Sequence, residues 1–96
     1  MMENIILHVY YMCKAGQADT FVQALKSGGL QAAVQAEDGC MQYDYHVSCE
    51  RADTVVLLEK WREAAALEKH MGQPHMTDIR ALKEQYVEET RIEKYL

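Results

Sequence analysis

From Ile5 to Met12 the chain reads IILHVYYM, apolar on both alternating sides of an extended backbone. Ile5, Leu7, Val9 and Tyr11 fall on one side; Ile6, Tyr10 and Met12 accompany His8 on the other. β-Branched and aromatic residues favour a strand, and a strand apolar on both faces has to be covered on both. The 96 residues suit a single domain, 1–96, with one core. Its own helices suffice for one face, so the other predicts a second copy of the chain.

Periodicity and turn chemistry place the remaining elements. Gln17 to Glu37 is helical in pattern, with Phe21, Ala24, Leu25, Leu30, Ala33 and Val34 at three- and four-residue spacing. Ser27-Gly28-Gly29 bends or splits this helix, because two adjacent glycines cost about 2 kcal/mol relative to alanine. Glu37-Asp38-Gly39 turns the chain into a strand from Cys40 to Ser48, where Met41, Tyr43, Tyr45 and Val47 alternate with polar residues. After the turn Glu50-Arg51-Ala52-Asp53, Thr54 to Trp61 is a covered strand. Glu63 to Met71 is a short helix ending near Gly72. Pro74 suits the first position of the next helix, which carries Met76, Ile79 and Leu82. Tyr86 to Tyr95 reads as a fourth strand or as a continuation of that helix, and its Tyr, Val, Thr and Ile favour the strand. The order β-α-β-β-α-β predicts a ferredoxin-like α+β fold, an antiparallel sheet with helices on one face. A twofold homodimer with facing sheets then covers the other face.

Composition excludes several functions. A net charge of −5 and no basic stripe argue against a nucleic-acid partner. Cys13, Cys40 and Cys49 form no C-x-x-C pair and read as reduced thiols of a cytoplasmic protein. No apolar run approaches the ~18 residues of a membrane span. There is no phosphate-binding loop, dinucleotide fingerprint or nucleophile elbow.

Chemistry-bearing residues concentrate in EKWREAAALEKHMGQPHM, from Glu59 to Met76. His75 sits just inside a helix start, where unpaired N–H groups and the helix dipole disfavour a positive ring. Such a ring accepts a proton or hydrogen-bonds a hydroxyl. His70 borders the buried face of its helix, as a packing residue or a site residue. Glu59 shares a strand face with Leu57 and Trp61; it either pairs with an arginine or orients a histidine, since buried acids need partners. Trp61 belongs to the core and can close a pocket as well. His70 and His75 are not at the i, i+4 spacing of a helical zinc pair, and His8 and His46 stand alone in strands, so no metal site is expected.

The segments EDGCMQYDYHV, VVLLEKW and AALEKHMGQPHM together resemble the antibiotic biosynthesis monooxygenase family of dimeric α+β-barrel proteins. The shared pattern is E-G-C, an aromatic strand, a strand ending E-x-W, then A-x-L-E-x-H leading to a P-H-[FM] turn. The resemblance runs from about Ile5 to Leu96 and is strongest from Glu59 to Met76. It implies oxidation of a small quinol or polyphenol by O₂ without a cofactor, in a pocket between sheet and helices. By motif it implies His70 and His75 as catalytic residues, with Trp61 and Glu59 in the binding site. Strand face and proximity add Tyr43, Tyr45, His8 and Met76 as substrate-binding residues. The haem-degrading branch places a tryptophan near His70 and a histidine near Arg80, and neither is present here. Gln73 stands where the family usually has Ser or Thr, which weakens the helix cap. Two other functions share these features: an isomerase or tautomerase of a small oxygenated metabolite, and a non-catalytic ligand-binding dimer.

Overall fold

The doubly apolar run becomes β1 (Ile5–Cys13) in a computed structural model that describes residues 4–95. It lies inside a four-stranded antiparallel sheet with β2 (Cys40–Val47), β3 (Thr54–Trp61) and β4 (Val87–Tyr95), in the order β2-β3-β1-β4. β1 pairs with β3 on one side and β4 on the other, so the most apolar strand is hydrogen-bonded along both edges. The last segment is a strand, as its β-branched and aromatic content favours.

The helices are α1 (Ala18–Ser27), α2 (Leu30–Gln35), α3 (Ala64–Met71) and α4 (His75–Tyr86). The glycine pair splits the first helical segment into α1 and α2; Gly29, at φ 73°, takes a left-handed conformation that β-carbon-bearing residues disfavour. α4 begins at His75, one residue later than expected, with Pro74 already at helical angles.

Helices lie against one face of the sheet. That face supplies Leu7, Val9, Tyr11, Leu57 and Trp61, which pack with Phe21, Leu25, Val34 and Ile79 into one core. The opposite face carries Ile6, Tyr10 and Met12 of β1 with Val56 and Leu58 of β3, all half-buried. Arg91 of β4 stacks over Tyr10 there, 4.7 Å from its ring centroid.

Candidate active site

The turn from α2 into β2 decides the geometry. Gly39 adopts φ 89°, which brings the chain sharply round, and its carbonyl accepts the Arg62 amide at 2.8 Å. The Arg62 guanidinium donates to both carboxylate oxygens of Asp38 at 3.2 Å. Thus pinned to the end of β3, the turn aims Glu37 inward, where its side chain is 7% exposed.

Two imidazoles meet Glu37 there. His70 shares the buried stripe of α3 with Ala66, one helical turn earlier, and its Nδ1 lies 2.9 Å from Glu37 Oε2. His75, on the first turn of α4, places Nε2 2.7 Å from the same oxygen. A carboxylate oxygen only accepts, so both ring nitrogens donate to it. In the neutral ring of His70 the proton then sits on Nδ1 and Nε2 carries the lone pair, for which the described residues supply no partner. Buried side-chain nitrogens and oxygens all have partners among the described residues, so Nε2 meets accessible space.

His70 lines a cavity of about 100 Å³ between the sheet and helices α3 and α4. Its inner wall holds His70, Tyr43 and Glu59; Met71 and Ile92, 53% and 60% exposed, mark its outer end. Apolar Leu7, Val9, Met76 and Ile79 line it between. Larger hollows, about 370 Å³ between α1, α2 and α4 and about 230 Å³ along the edge strand β2, are more open and contain no histidine.

The inner wall is rigid. Trp61 is fully buried, lies over the His70 ring with centroids 4.6 Å apart, and donates its indole N–H to Glu59 Oε1 at 3.0 Å. Burial pushes the Glu59 carboxyl up, and the Trp61 hydrogen bond, His70 and Lys83 partly offset this. Gln31 and Gln35 of α2 both donate to the Tyr43 carbonyl, at 3.0 and 3.1 Å, and fasten the edge strand. Tyr45 donates its hydroxyl to that of Tyr43 at 3.4 Å. Burial raises both phenols; the Tyr45 and Glu59 charges add to it at Tyr43, while at Tyr45 the hydrogen bond with Tyr43 offsets it in part and Glu59 adds to it. At neutral pH they are hydrogen-bond donors, not bases.

The expected residues are thus partly gathered. His70, Tyr43, Glu59 and Met76 line the cavity; Trp61 and Tyr45 support its wall from behind. His75, which the resemblance implies as catalytic, is not among the residues lining this cavity: Glu37 takes its Nε2, and its side chain is 19% exposed. His8 is a correction, since strand alternation places it on the opposite sheet face, packed against Tyr95 with ring centroids 4.7 Å apart. Glu37, Tyr11 and Lys83 belong to the site without having been singled out, although Glu37 is the first residue of the E-D-G turn. Glu37 also alters the metal question. Its oxygen and the two ring nitrogens lie within 4.8 Å of one another, a two-histidine, one-carboxylate set of ligand type that His-to-His spacing alone does not reveal.

Residues 4–82 match the family described as antibiotic biosynthesis monooxygenase. The chain belongs to this family. "Putative monooxygenase YcnE" of Bacillus subtilis is 32% identical over 74% of this chain and 73% of its own length. "Putative monooxygenase Rv0793" of Mycobacterium tuberculosis is 43% identical over 49% of this chain, so the match spans about half of that relative, 46%. The solved Rv0793 structure superposes more widely, over 98% of this chain and 94% of its own, with a TM-score of 0.81 and 25% identity. The crystal structure of PA3566 from Pseudomonas aeruginosa superposes with a TM-score of 0.85 over 99% of this chain and 94% of its own, at 27% identity. The family and these two relatives support a monooxygenase-type function. Among the described residues, no helix is long and apolar enough to cross a membrane.

Proposed function

We propose that the protein oxidises a small quinol or polyphenol with O₂, without a cofactor, and that His70 is the base. The observation that carries this reading is His70, held through Nδ1 by Glu37 and lining an apolar cavity with Tyr43. A base oriented by a carboxylate on its far nitrogen is the arrangement that proton abstraction calls for. A dihydroxyarene hydroxyl donates to His70 Nε2 and gives up its proton, and Glu37 stabilises the imidazolium that forms. Tyr43, whose oxygen already accepts from Tyr45, has its own O–H free to donate to the new phenolate. The electron-rich anion passes an electron to O₂, and the two radicals combine at a ring carbon. O–O cleavage then leaves one oxygen atom on the ring and releases the other as water, so quinol and O₂ become hydroxyquinone and water. The apolar walls keep bulk water from the anion.

In this scheme His75 is a positioning residue that acts through Glu37. The half-buried second face of the sheet supports a homodimer of this chain, with β1 and β3 at its centre.

The test is oxygen uptake with a reduced naphthoquinol. We expect His70→Ala to lower kcat about 10²-fold or more, as loss of a general base does, and His75→Ala to lower it about tenfold with little change in KM. Uptake no faster than the uncatalysed rate in wild type removes the monooxygenase reading for this substrate class. An isomerase working through the same base would then show proton exchange into a carbonyl substrate without consuming O₂. Equal losses in the two variants would restore His75 to an equal catalytic role.

A further inference from the structure

Lys83 is the one lysine or arginine among the residues lining the cavity, and the oxidation scheme does not use it. It sits on α4, its ammonium 5.7 Å from the centroid of the Tyr11 ring. A lysine serving only solubility extends into water; this one is half-buried with its stem folded over the cavity wall. No carboxylate of the described residues lies within 4.0 Å of it, and Glu59 has committed one oxygen to Trp61. Arg80, one turn earlier, donates to the Met71 carbonyl at 3.0 Å and adds positive charge near the outer rim. Burial, with Arg80 contributing, draws the Lys83 ammonium down from its ordinary range, and Glu59 works the other way. The position therefore favours a bound anion.

His70 and Lys83 line the one cavity against different neighbours: His70 lies against Trp61 and Tyr43, and Lys83 lies over Tyr11. An arene whose hydroxyl meets His70 presents its far edge to Lys83. We infer that Lys83 selects substrates bearing a ring carboxylate on the edge remote from the reacting hydroxyl. This rests on the aromatic-substrate reading above.

Trp61, the only tryptophan, stacks on His70 and reports occupancy by its fluorescence. The probes are 1-naphthol and a hydroxynaphthoic acid with its carboxylate on the second ring, neither with a second hydroxyl to oxidise. In wild type we expect the carboxylate to bind about tenfold tighter, as a charge-assisted hydrogen bond allows. The advantage should shrink with added salt, vanish in Lys83→Met and return in part in Lys83→Arg. Equal affinities in wild type, a comparison that needs no variant, would overturn the inference, as would an advantage that survives Lys83→Met. Oxygen uptake with the matching dihydroxy compounds runs in parallel. Selective carboxylate binding without uptake upholds Lys83 and removes the monooxygenase reading. Uptake without selectivity does the reverse.

Discussion

Glu37 is the residue through which the proposed chemistry can be weighed most directly, because one of its oxygens accepts from both imidazoles, at 2.9 and 2.7 Å. Glu37→Ala leaves two largely buried N–H groups without an acceptor. Each such orphan costs about 1–3 kcal/mol, so the variant should lose about 2–6 kcal/mol of stability, read from the shift of its urea midpoint at constant slope. Glu37→Gln separates charge from shape. Its amide oxygen can occupy the place of Oε2 and accept from both rings, so the unfolding midpoint should move little. The negative charge is gone, however. A charge-assisted hydrogen bond contributes about 1 kcal/mol more than a neutral one, and the difference grows in the transition state, when the His70 ring becomes cationic. With about 1.4 kcal/mol per factor of ten, kcat for naphthoquinol oxidation should fall about ten- to thirtyfold in Glu37→Gln. KM should hold, since Glu37 does not line the cavity. An oxygen electrode gives both constants, and the urea curve guards against misreading a folding defect as a catalytic one. A Glu37→Gln protein with wild-type kcat would refute the assignment of His70 as a carboxylate-assisted base.

Other perturbations probe the parts that hold this arrangement. The Glu59 carboxyl is raised by burial, so the folded state binds its proton more tightly than the unfolded state. The stability it contributes is full below the unfolded pKa and is lost as pH rises through the folded one. Glu59→Gln, which still accepts from Trp61, should therefore gain on wild type in urea midpoint at pH 8, with the gap closing towards pH 4.5. A gap that widens on acidification would reverse the sign and the argument. Gly39→Ala forces a β-carbon into a left-handed backbone and within 2.5 Å of Ala66 Cβ. A loss of about 2 kcal/mol or more is expected by denaturation, and kcat should fall with it because Glu37 rides on that turn. Leu58→Asp places a charge in the second sheet face and should convert a sedimenting dimer to monomer. A wild-type monomer at low micromolar concentration would remove the proposed dimer itself.

Most of the fold could be read locally, and most of the chemistry could not. The strands announce themselves because alternation is a short-range property: Tyr43 and Tyr45, or Leu57, Glu59 and Trp61, declare their shared face within a few residues. The same rule, applied strictly, also excludes His8 from the cavity, because Leu7 and Val9 on either side of it face inward. The histidines are harder. His70 and His75 are near in sequence, which drew attention to their mutual spacing and away from the acid that joins them. Glu37 lies 33 residues before His70 and 38 before His75, in a turn whose sequence, E-D-G, reads only as a way to reverse the chain. Nothing short-range says that the third residue of that turn will dock on Arg62 and that the first will swing under two imidazoles. The same long-range closure changes which histidine matters. A helix start does favour an uncharged ring at position 75, but hydrogen-bond demand competes with dipole preference, and a buried carboxylate that needs donors takes both rings. His75 satisfies it from the solvent side and His70 from the core side. Only the second leaves a nitrogen next to the cavity, so the shared acceptor, more than either histidine's own helix, determines where a proton can be removed.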